Sequence, residues 1–244
     1  MAKAIRKALS IIFAVVLGVS LTTLILVCHA PEYPHTNQLI SNNYDLNQKK
    51  AIRNSVNSSV GIVYINHANE SVSSFSGTYF TFGGKHYVLT TAHGIFGQCE
   101  NIVAFHFEET ARCIRYAKFD HERDYVIFEI EKMSTRTPIK IPHALATLAK
   151  NYNILDKTYY TGYPNRVGPT TWTGNISGFD GDYLIIQSYA WPGSSGSGVF
   201  DEKGKLIGII VAIDVGQSEY GYQVLNNSLI VVPIWHVDFD SLME

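Results

Sequence analysis

Short apolar runs separated by turn residues follow one another along the chain from Ser55 onward. Gly83-Gly84, Asp180-Gly181 and Lys203-Gly204 are tight-turn signals between such runs. Many short strands at this spacing are typical of an all-β barrel or sandwich. The predicted strands are 60–65, 73–82, 86–91, 102–107, 111–119, 125–130, 158–161, 170–178, 183–188, 198–200, 206–212, 222–225 and 229–232.

The stretch 136–152 contains two prolines and separates the two sets of strands. We therefore predict two β-units, an N-terminal one over 53–145 and a C-terminal one over 146–244. Residues 31–52 precede them and are rich in Pro, Asn and Lys with little apolar content. This composition predicts a tether.

Residues 1–30 differ from the rest, because three basic residues precede an uncharged run of 21 residues over 8–28. A helix of about 20 apolar residues spans a bilayer, whereas a signal peptide has a shorter apolar region of roughly 7–15 residues. We predict a hydrophobic helix that is a retained signal-anchor or a cleaved signal peptide, with a buried core helix as the remaining alternative. The basic flank stays cytoplasmic. The main domain is therefore expected on the exported side, anchored in the membrane through 8–28 or secreted.

The composition excludes several classes of protein. With 46% hydrophobic and 16% charged residues, the chain is neither disordered nor fibrous. A net charge of −2 gives no electrostatic reason to bind nucleic acid. The nine histidines are scattered, and no CxxC or HExxH motif occurs, so no metal or other cofactor is expected. Cys99 and Cys113 could form a disulfide in an oxidising compartment or remain two thiols.

Two residues follow or open apolar strands in a way that suits catalysis. His93 follows the apolar run HYVL in the segment TTAHG, and a strand end holds a side chain rigidly at the rim of a barrel. Asp124 opens the apolar run YVIFEI. Alone, His93 is explained as a partly buried histidine and Asp124 as a turn residue. Asp120 is a second candidate for a carboxylate that orients the histidine.

Ser195 lies in a glycine-rich segment, GSSGSG, between aromatic and apolar flanks. Glycines permit positive φ and close backbone approach, so such a loop can aim successive N–H groups at a developing oxyanion. A flexible linker is the alternative, but a linker does not need these flanks.

Together the segments TTAHG, RDYVIFEI and PGSSGSGVFDEKGKLIGIIVAI resemble the His, Asp and Ser motifs of the trypsin-like (chymotrypsin-fold) serine peptidases, in the same order. The spacings of 31 and 71 residues are similar to those of HtrA/Deg catalytic domains, as are the turn at 162–164 and the strand WTGNIS. The similarity covers roughly 55–235 and includes no PDZ domain. It implies two six-stranded antiparallel β-barrels, chymotrypsin-like, with the active site in the cleft between them.

The resemblance also implies roles for individual residues. Ser195 would be the nucleophile, His93 the general base and Asp124 its orienting carboxylate, while the N–H groups of Gly193 and Ser195 would form the oxyanion hole. Ser197 departs from the family, which usually has glycine there. The substrate side-chain pocket would be walled by 188–192 and 209–213 and be mostly apolar, with Tyr189 near its floor. The candidate substrate-binding residues are Tyr189, Val211, Ala212 and Ile213.

The expected function is therefore a serine endopeptidase that cleaves protein or peptide substrates through an acyl-enzyme. A catalytically silent trypsin-like binding module and an exported β-domain with coincidental motifs are the alternatives. An α/β-hydrolase esterase is disfavoured, because it needs the order Ser, Asp, His and glycine two residues after the serine.

Overall fold

The computed structural model describes residues 40, 44–67, 69–141, 152–219 and 221–243. Within these residues, the chain forms one α-helix, four short 3₁₀ helices and thirteen strands. The helix and strands are α1 Leu46–Ser58, β1 Ser59–Asn66, β2 Ser71–Phe82, β3 Lys85–Thr90, β4 Ile102–His106, β5 Glu109–Asp120, β6 Tyr125–Ile130, β7 Ile139–Lys140, β8 Lys157–Gly162, β9 Thr170–Asp180, β10 Tyr183–Gln187, β11 Gly198–Asp201, β12 Leu206–Ser218 and β13 Gly221–Pro233. The 3₁₀ helices are Cys99–Asn101, Pro164–Arg166, Ile234–His236 and Asp240–Leu242.

The first barrel consists of β1 to β6 in the order β1-β4-β5-β6-β3-β2, and the pairing of β2 with β1 closes it. All of these pairs are antiparallel, while β7 adds to the outer edge of β2 in parallel. Strand β4 shows the alternation of faces that a barrel requires, since Ile102, Ala104 and His106 are buried and their neighbours are partly exposed. Its interior is filled by residues such as Ile62 and Phe128.

The second barrel consists of β8 to β13 in the closed order β10-β13-β12-β11-β8-β9, again with antiparallel pairs. Tyr160, Ile186 and Val199 are among the buried residues that fill it. The predicted fold, two six-stranded antiparallel barrels, is confirmed for the described residues.

A shared apolar cluster joins the barrels. It combines Phe80 and Leu89 of the first barrel with Phe200, Ile209 and Val232 of the second, each at most 1% exposed. Full burial of one such side chain contributes roughly 1.5–3 kcal/mol. The barrels are thus held together by a core, which fixes the loops that meet across it.

The helix α1 includes residues 46–52, which belong to the segment for which the sequence predicts a tether. A capping box starts the helix: Gln48 N–H donates to Asp45 Oδ1 at 2.8 Å, and Asp45 N–H donates to Gln48 Oε1 at 3.2 Å. The helix buries Ala51 and Ile52 against Tyr159 of the second barrel. Only a few residues form the apolar face of this helix, so the mostly polar composition of the segment does not predict it.

The last two strands are longer than the sequence predicts. Strand β12 continues to Ser218, and the two predicted strands 222–225 and 229–232 are one strand, β13. The register shifts by three residues between the pairs Ile213–Leu229 and Asp214–Leu225. The extra residues, 226–228, contain two asparagines and a serine, which interrupt the apolar pattern and divide the predicted strand.

Cys99 and Cys113 form a disulfide with a Cα–Cα distance of 5.4 Å, which ties the 3₁₀ helix before β4 to β5. The bond therefore joins two adjacent parts of the first barrel. Of the alternatives left open by the sequence, the structure contains the bridge.

Removal of this disulfide is expected to lower the free energy of unfolding by about 3 kcal/mol, because a loop of this size constrains the unfolded chain by that amount. Urea denaturation of the wild type with and without reductant would measure it. The Cys99→Ser/Cys113→Ser variant is the control, and it should match the reduced wild type and be insensitive to reductant. Equal midpoints for all four samples would contradict the prediction.

Within the described residues, no helix is long and apolar enough to cross a membrane. The predicted hydrophobic helix over 8–28 lies outside these residues, as do the rest of 1–39 and the predicted boundary at 145.

Candidate active site

His93 and Asp124 form a hydrogen-bonded pair at one end of the first barrel. His93 follows β3, Asp124 directly precedes β6, and β3 pairs with β6. The His93 Nδ1 atom is 2.6 Å from Asp124 Oδ2, and the His93 backbone N–H donates to Asp124 Oδ1 at 2.7 Å. One carboxylate therefore holds both the ring and the backbone of His93.

The two side chains of the pair differ in solvent exposure. The His93 side chain is 50% exposed and the Asp124 side chain 28%. Asp124 has a φ of 57°, a left-handed conformation that aspartate and asparagine tolerate better than other non-glycine residues. Its carbonyl accepts a hydrogen bond from Ala92 N–H at 3.3 Å. The imidazole faces solvent while the carboxylate is held behind it.

Asp120, the alternative carboxylate, is engaged elsewhere. Its Oδ1 accepts a hydrogen bond from Arg123 N–H at 2.9 Å, and its Oδ2 lies 3.6 Å from Arg123 Nη1. This carboxylate stabilises the turn between β5 and β6. Of the two acids that the sequence offers, the structure brings Asp124 to His93.

Ser195 lies on the loop that precedes β11 of the second barrel. Ser76 of the first barrel forms hydrogen bonds to this loop. Ser76 N–H donates to the Ser195 carbonyl at 2.9 Å, and Thr90 Oγ1 donates to the Ser76 carbonyl at 2.6 Å. Thr90 ends β3, three residues before His93. Two hydrogen bonds thus connect the Ser195 backbone to the strand end that carries His93.

The Ser76 hydroxyl makes a second link. It donates to the Gly193 carbonyl at 2.6 Å and accepts from Tyr163 N–H at 2.8 Å. Ser76 is 0% exposed, so these bonds are shielded from water. A buried polar side chain whose donor and acceptor are both used is rigid, and it fixes the groups that it contacts.

Glycine is required at two positions of the loop. Gly193 and Gly196 have φ values of 96° and 87°. A Cβ added to Gly196 would lie 2.0 Å from the Ser76 carbonyl oxygen and 2.2 Å from Thr90 Oγ1. Gly196 therefore packs directly against the first barrel, and a side chain at this position would displace the loop from it.

The N–H groups of Gly193 and Ser195 donate no hydrogen bond to any residue that the structure describes. The Gly193 amide is nevertheless fixed, because Asn165 N–H donates to the Pro192 carbonyl at 2.8 Å. The carbonyl and N–H of one planar trans peptide point in opposite directions. Holding the Pro192 oxygen therefore sets the direction of the Gly193 N–H.

The same reasoning applies to the Ser195 amide. Its peptide unit includes the Ser194 carbonyl, which accepts from Ser197 N–H at 3.1 Å. Two amides of one short loop are thus oriented by bonds on their opposite sides, while their own hydrogens remain available. This is the property that an oxyanion site needs.

The turn that supplies Asn165 is itself anchored by a buried histidine. The Tyr163 hydroxyl and His106 Nδ1 are 2.5 Å apart. Burial lowers the pKa of His106 to about 4 and raises the pKa of Tyr163 to about 12. Both groups are therefore neutral at neutral pH, and the pair supports the turn without a buried charge.

The pair of Ser195 and His93 differs from the pair of His93 and Asp124. Among the described residues, Ser195 Oγ and the His93 ring have no hydrogen bond to each other. Such bonds are often long or poorly aligned in the absence of substrate. The structure thus joins His93 to Asp124 directly and joins Ser195 to them only through the backbone.

The four residues predicted to wall the substrate pocket do not share one environment. Tyr189 is 64% exposed, whereas Val211 is 5% exposed and packs in the core between the barrels. Ala212 and Ile213 are half-buried in β12. The substrate-binding roles of the four residues stay predictions. A register shift between Ile210 and Ala212 resets the alternation of faces at Val211.

A cavity of about 450 Å³ borders Tyr189 together with Ser188 and Asn227. None of the three candidate catalytic residues lines it. No group of three His, Cys, Asp or Glu residues in the described ranges is placed to hold a metal ion.

Sequence reasoning missed Ser76 and Asn165. Ser76 lies inside a strand with four serines in six residues, and nothing in the local pattern distinguishes it. Asn165 follows the motif Gly162-Tyr163-Pro164, and an asparagine after proline in a turn could have indicated the left-handed φ of 48°.

Residues 75–209 match the family model of the trypsin-like peptidase domain. The match covers more than half of the 244 residues and includes His93, Asp124 and Ser195. The chain therefore belongs to the trypsin-like peptidase family, as the resemblance in the sequence implies. The family is one of peptidases, which are hydrolases of protein or peptide substrates.

Three solved proteases share the fold. The serine endoprotease from Yersinia pestis has a TM-score of 0.59 and 20% identity over 83% of this chain and 64% of its own. The active form of a protease from M. tuberculosis has a TM-score of 0.59 and 15% identity over 78% of this chain and 81% of its own. The HtrA-type protease AlgW, solved with a tripeptide, has a TM-score of 0.57 and 20% identity over 76% of this chain and 59% of its own.

At these sequence identities, the similarity to the three proteases shows that the fold is shared. The chain spans less than two thirds of the Yersinia protein and of AlgW. No curated protein matches the chain.

Proposed function

We propose that this chain is a serine endopeptidase whose catalytic triad is His93, Asp124 and Ser195. The observation that carries the proposal is the hydrogen bond of 2.6 Å between His93 Nδ1 and Asp124 Oδ2. It supports the role of His93 as a base, because a carboxylate on Nδ1 directs the free lone pair of the neutral imidazole to Nε2.

The reaction follows from these roles. Ser195 Oγ attacks the scissile carbonyl while His93 Nε2 accepts the hydroxyl proton, and the imidazolium is stabilised by Asp124. The proton then passes to the leaving amine, which departs as the acyl-enzyme forms. Water repeats the sequence against the ester, releases the acid and restores Ser195.

The oxyanion of each tetrahedral intermediate is placed against the N–H groups of Gly193 and Ser195. Loss of one donor of this kind costs about 2.7–4 kcal/mol of transition-state stabilisation. Because the opposite faces of both peptide units are already bonded, these donors need little reorganisation when charge develops.

Substrates are proposed to be proteins or peptides, as in the family. Tyr189, which borders a cavity, and Ala212 and Ile213, half-buried in β12, are the accessible candidates for the wall of the side-chain pocket. We further propose that the peptidase domain acts on the exported side, where a disulfide between Cys99 and Cys113 is stable.

A fluorophosphonate probe tests the proposal directly, because it reacts only with an activated serine. The wild type is expected to take up one probe per chain, with the label on Ser195 rather than on Ser194 or Ser197 by peptide mass spectrometry. Heat-denatured protein and Ser195→Ala are the controls, and neither should be labelled. A folded wild type that takes up no probe would overturn the proposal and support the catalytically silent binding module.

The Ser76→Ala variant is expected to lower kcat about tenfold with little change in KM. The variant removes the hydroxyl that donates to the Gly193 carbonyl and accepts from Tyr163 N–H. A loss of roughly 1.4 kcal/mol of transition-state stabilisation corresponds to a factor of ten in rate. Steady-state kinetics on a cleaved peptide would measure it.

Ser74→Ala is the matched control, since Ser74 lies on the same face of β2 and its buried hydroxyl has no hydrogen-bond partner among the described residues. It should retain wild-type kcat. If both variants behave alike, the Ser76 hydroxyl does not support the loop.

A further inference from the structure

A cavity of about 430 Å³ lies where α1, β7 and the turn between β11 and β12 meet, and four lysines line it. They are Lys50, Lys140, Lys203 and Lys205, and we refer to this cavity as the lysine pocket. No aspartate or glutamate is among its lining residues, and none of the candidate catalytic residues is either. The apolar part of the lining includes Ile141.

The turn that carries two of these lysines is held in place. Asp201 Oδ1 accepts hydrogen bonds from the backbone N–H groups of Lys203 and Lys205, both at 2.9 Å. Asn54 Nδ2 of α1 donates to the Gly204 carbonyl at 2.7 Å. The separation between the turn and the helix is therefore fixed, and Lys203 and Lys205 reach the cavity from a rigid base.

Close packing at Gly204 reinforces this arrangement. Its φ is 78°, and an added Cβ would lie 2.9 Å from Asn54 Nδ2 and 3.3 Å from Lys50 Cγ. A glycine is needed for the turn to come this close to the helix. The convergence of Lys50 with the lysines of the turn is thus a consequence of the packing of α1.

The positive charge of the pocket is local. The whole chain has a net charge of −2, and Lys50, Lys140 and Lys203 form no ion pair with any carboxylate in the described residues. Like charges around one cavity repel each other, and an anion within it would relieve that repulsion.

We propose that the lysine pocket binds a multiply charged, phosphate-bearing anion. Three elements contribute lysines to the lining of one space, and lysine acts as a compact point charge for phosphate. The volume is larger than inorganic phosphate requires, so the pocket suits a condensed phosphate or a phosphate ester. Because the bound anion would bridge α1, β7 and the turn, it would stabilise the fold without touching the catalytic residues.

Isothermal titration calorimetry with the full chain tests the proposal, with tripolyphosphate as a soluble phosphate and dihexanoyl phosphatidic acid as a lipid headgroup. At least one probe is expected to bind and to raise the Tm. Lys50→Gln/Lys203→Gln should weaken binding about fivefold for each lysine removed. The stronger of the two probes identifies the source of the phosphate.

The matched control is Lys49→Gln/Lys157→Gln, which removes the same charge outside the pocket. It should bind like the wild type. Equal weakening in both double variants, or no binding of either probe to a folded wild type, would overturn the proposal. All four lysines in these variants are on the surface or half-buried, so the variants are expected to fold, which a Tm in buffer would verify.

Discussion

Replacement of Ser195 by alanine is expected to lower kcat for peptide cleavage about 10⁶-fold, since the proposed nucleophile is lost. The backbone bonds that seat the loop, from Ser76 N–H and to Ile210, do not involve the Ser195 side chain, so the variant should fold as the wild type does. Binding of a peptide substrate should persist, because the N–H groups of Gly193 and Ser195 remain.

The measurement is steady-state cleavage of a peptide library, with His93→Ala and the double variant alongside. Members of one catalytic unit are strongly non-additive, so the double variant is expected to be no worse than Ser195→Ala alone. A Ser195→Ala enzyme that keeps more than about 1% of wild-type kcat would exclude an acyl-enzyme on this residue.

The strand pattern predicted most of the fold because barrel strands alternate buried and exposed residues over short, turn-bounded runs. Strand β6, for example, is identical in prediction and structure. The helix α1 was missed because only a narrow face of it is buried, and its capping box at Asp45 is a local signal in a polar segment. The burial of that face against Tyr159 is a tertiary effect that the helix sequence does not contain.

The residues of the candidate site also differ in whether the sequence predicts them. His93, Asp124 and Ser195 were identified because each lies in a short motif at the end or start of a strand. Ser76 and Asn165 support the site through contacts with residues distant in sequence: Ser76 bonds to Gly193 across 117 positions. A single sequence has no local feature that reports such a contact.

The burial of Val211 shows where strand periodicity does not predict which face a residue occupies. Val211 is buried between the barrels because the register of β12 shifts beside it. A β-bulge changes which face a residue occupies, and apolar runs such as IGIIVAI give no sign of its position.

Replacement of Asp124 by asparagine is expected to lower kcat about 10⁴-fold, and the geometry explains why an isosteric change has this effect. The His93 backbone N–H, at 2.7 Å, requires an acceptor and so keeps the amide oxygen of the new side chain on its side. The NH₂ group then faces His93 Nδ1, which is 2.6 Å from the second carboxylate oxygen in the wild type. A donor at this position stabilises the tautomer with its proton on Nε2, which cannot accept the proton of Ser195.

Asparagine is also the substitution that best preserves the backbone, because Asp124 has a φ of 57° and asparagine tolerates left-handed conformations. The loss of kcat can therefore be separated from a loss of folding, which an unchanged Tm would show. Asp120→Asn is the matched control: it alters only the contacts with Arg123 in the turn and should change kcat less than threefold, about 0.6 kcal/mol. Full turnover in Asp124→Asn together with its loss in Asp120→Asn would reassign the orienting carboxylate to Asp120, and the hydrogen bond between His93 and Asp124 would then serve only to shape the end of the barrel.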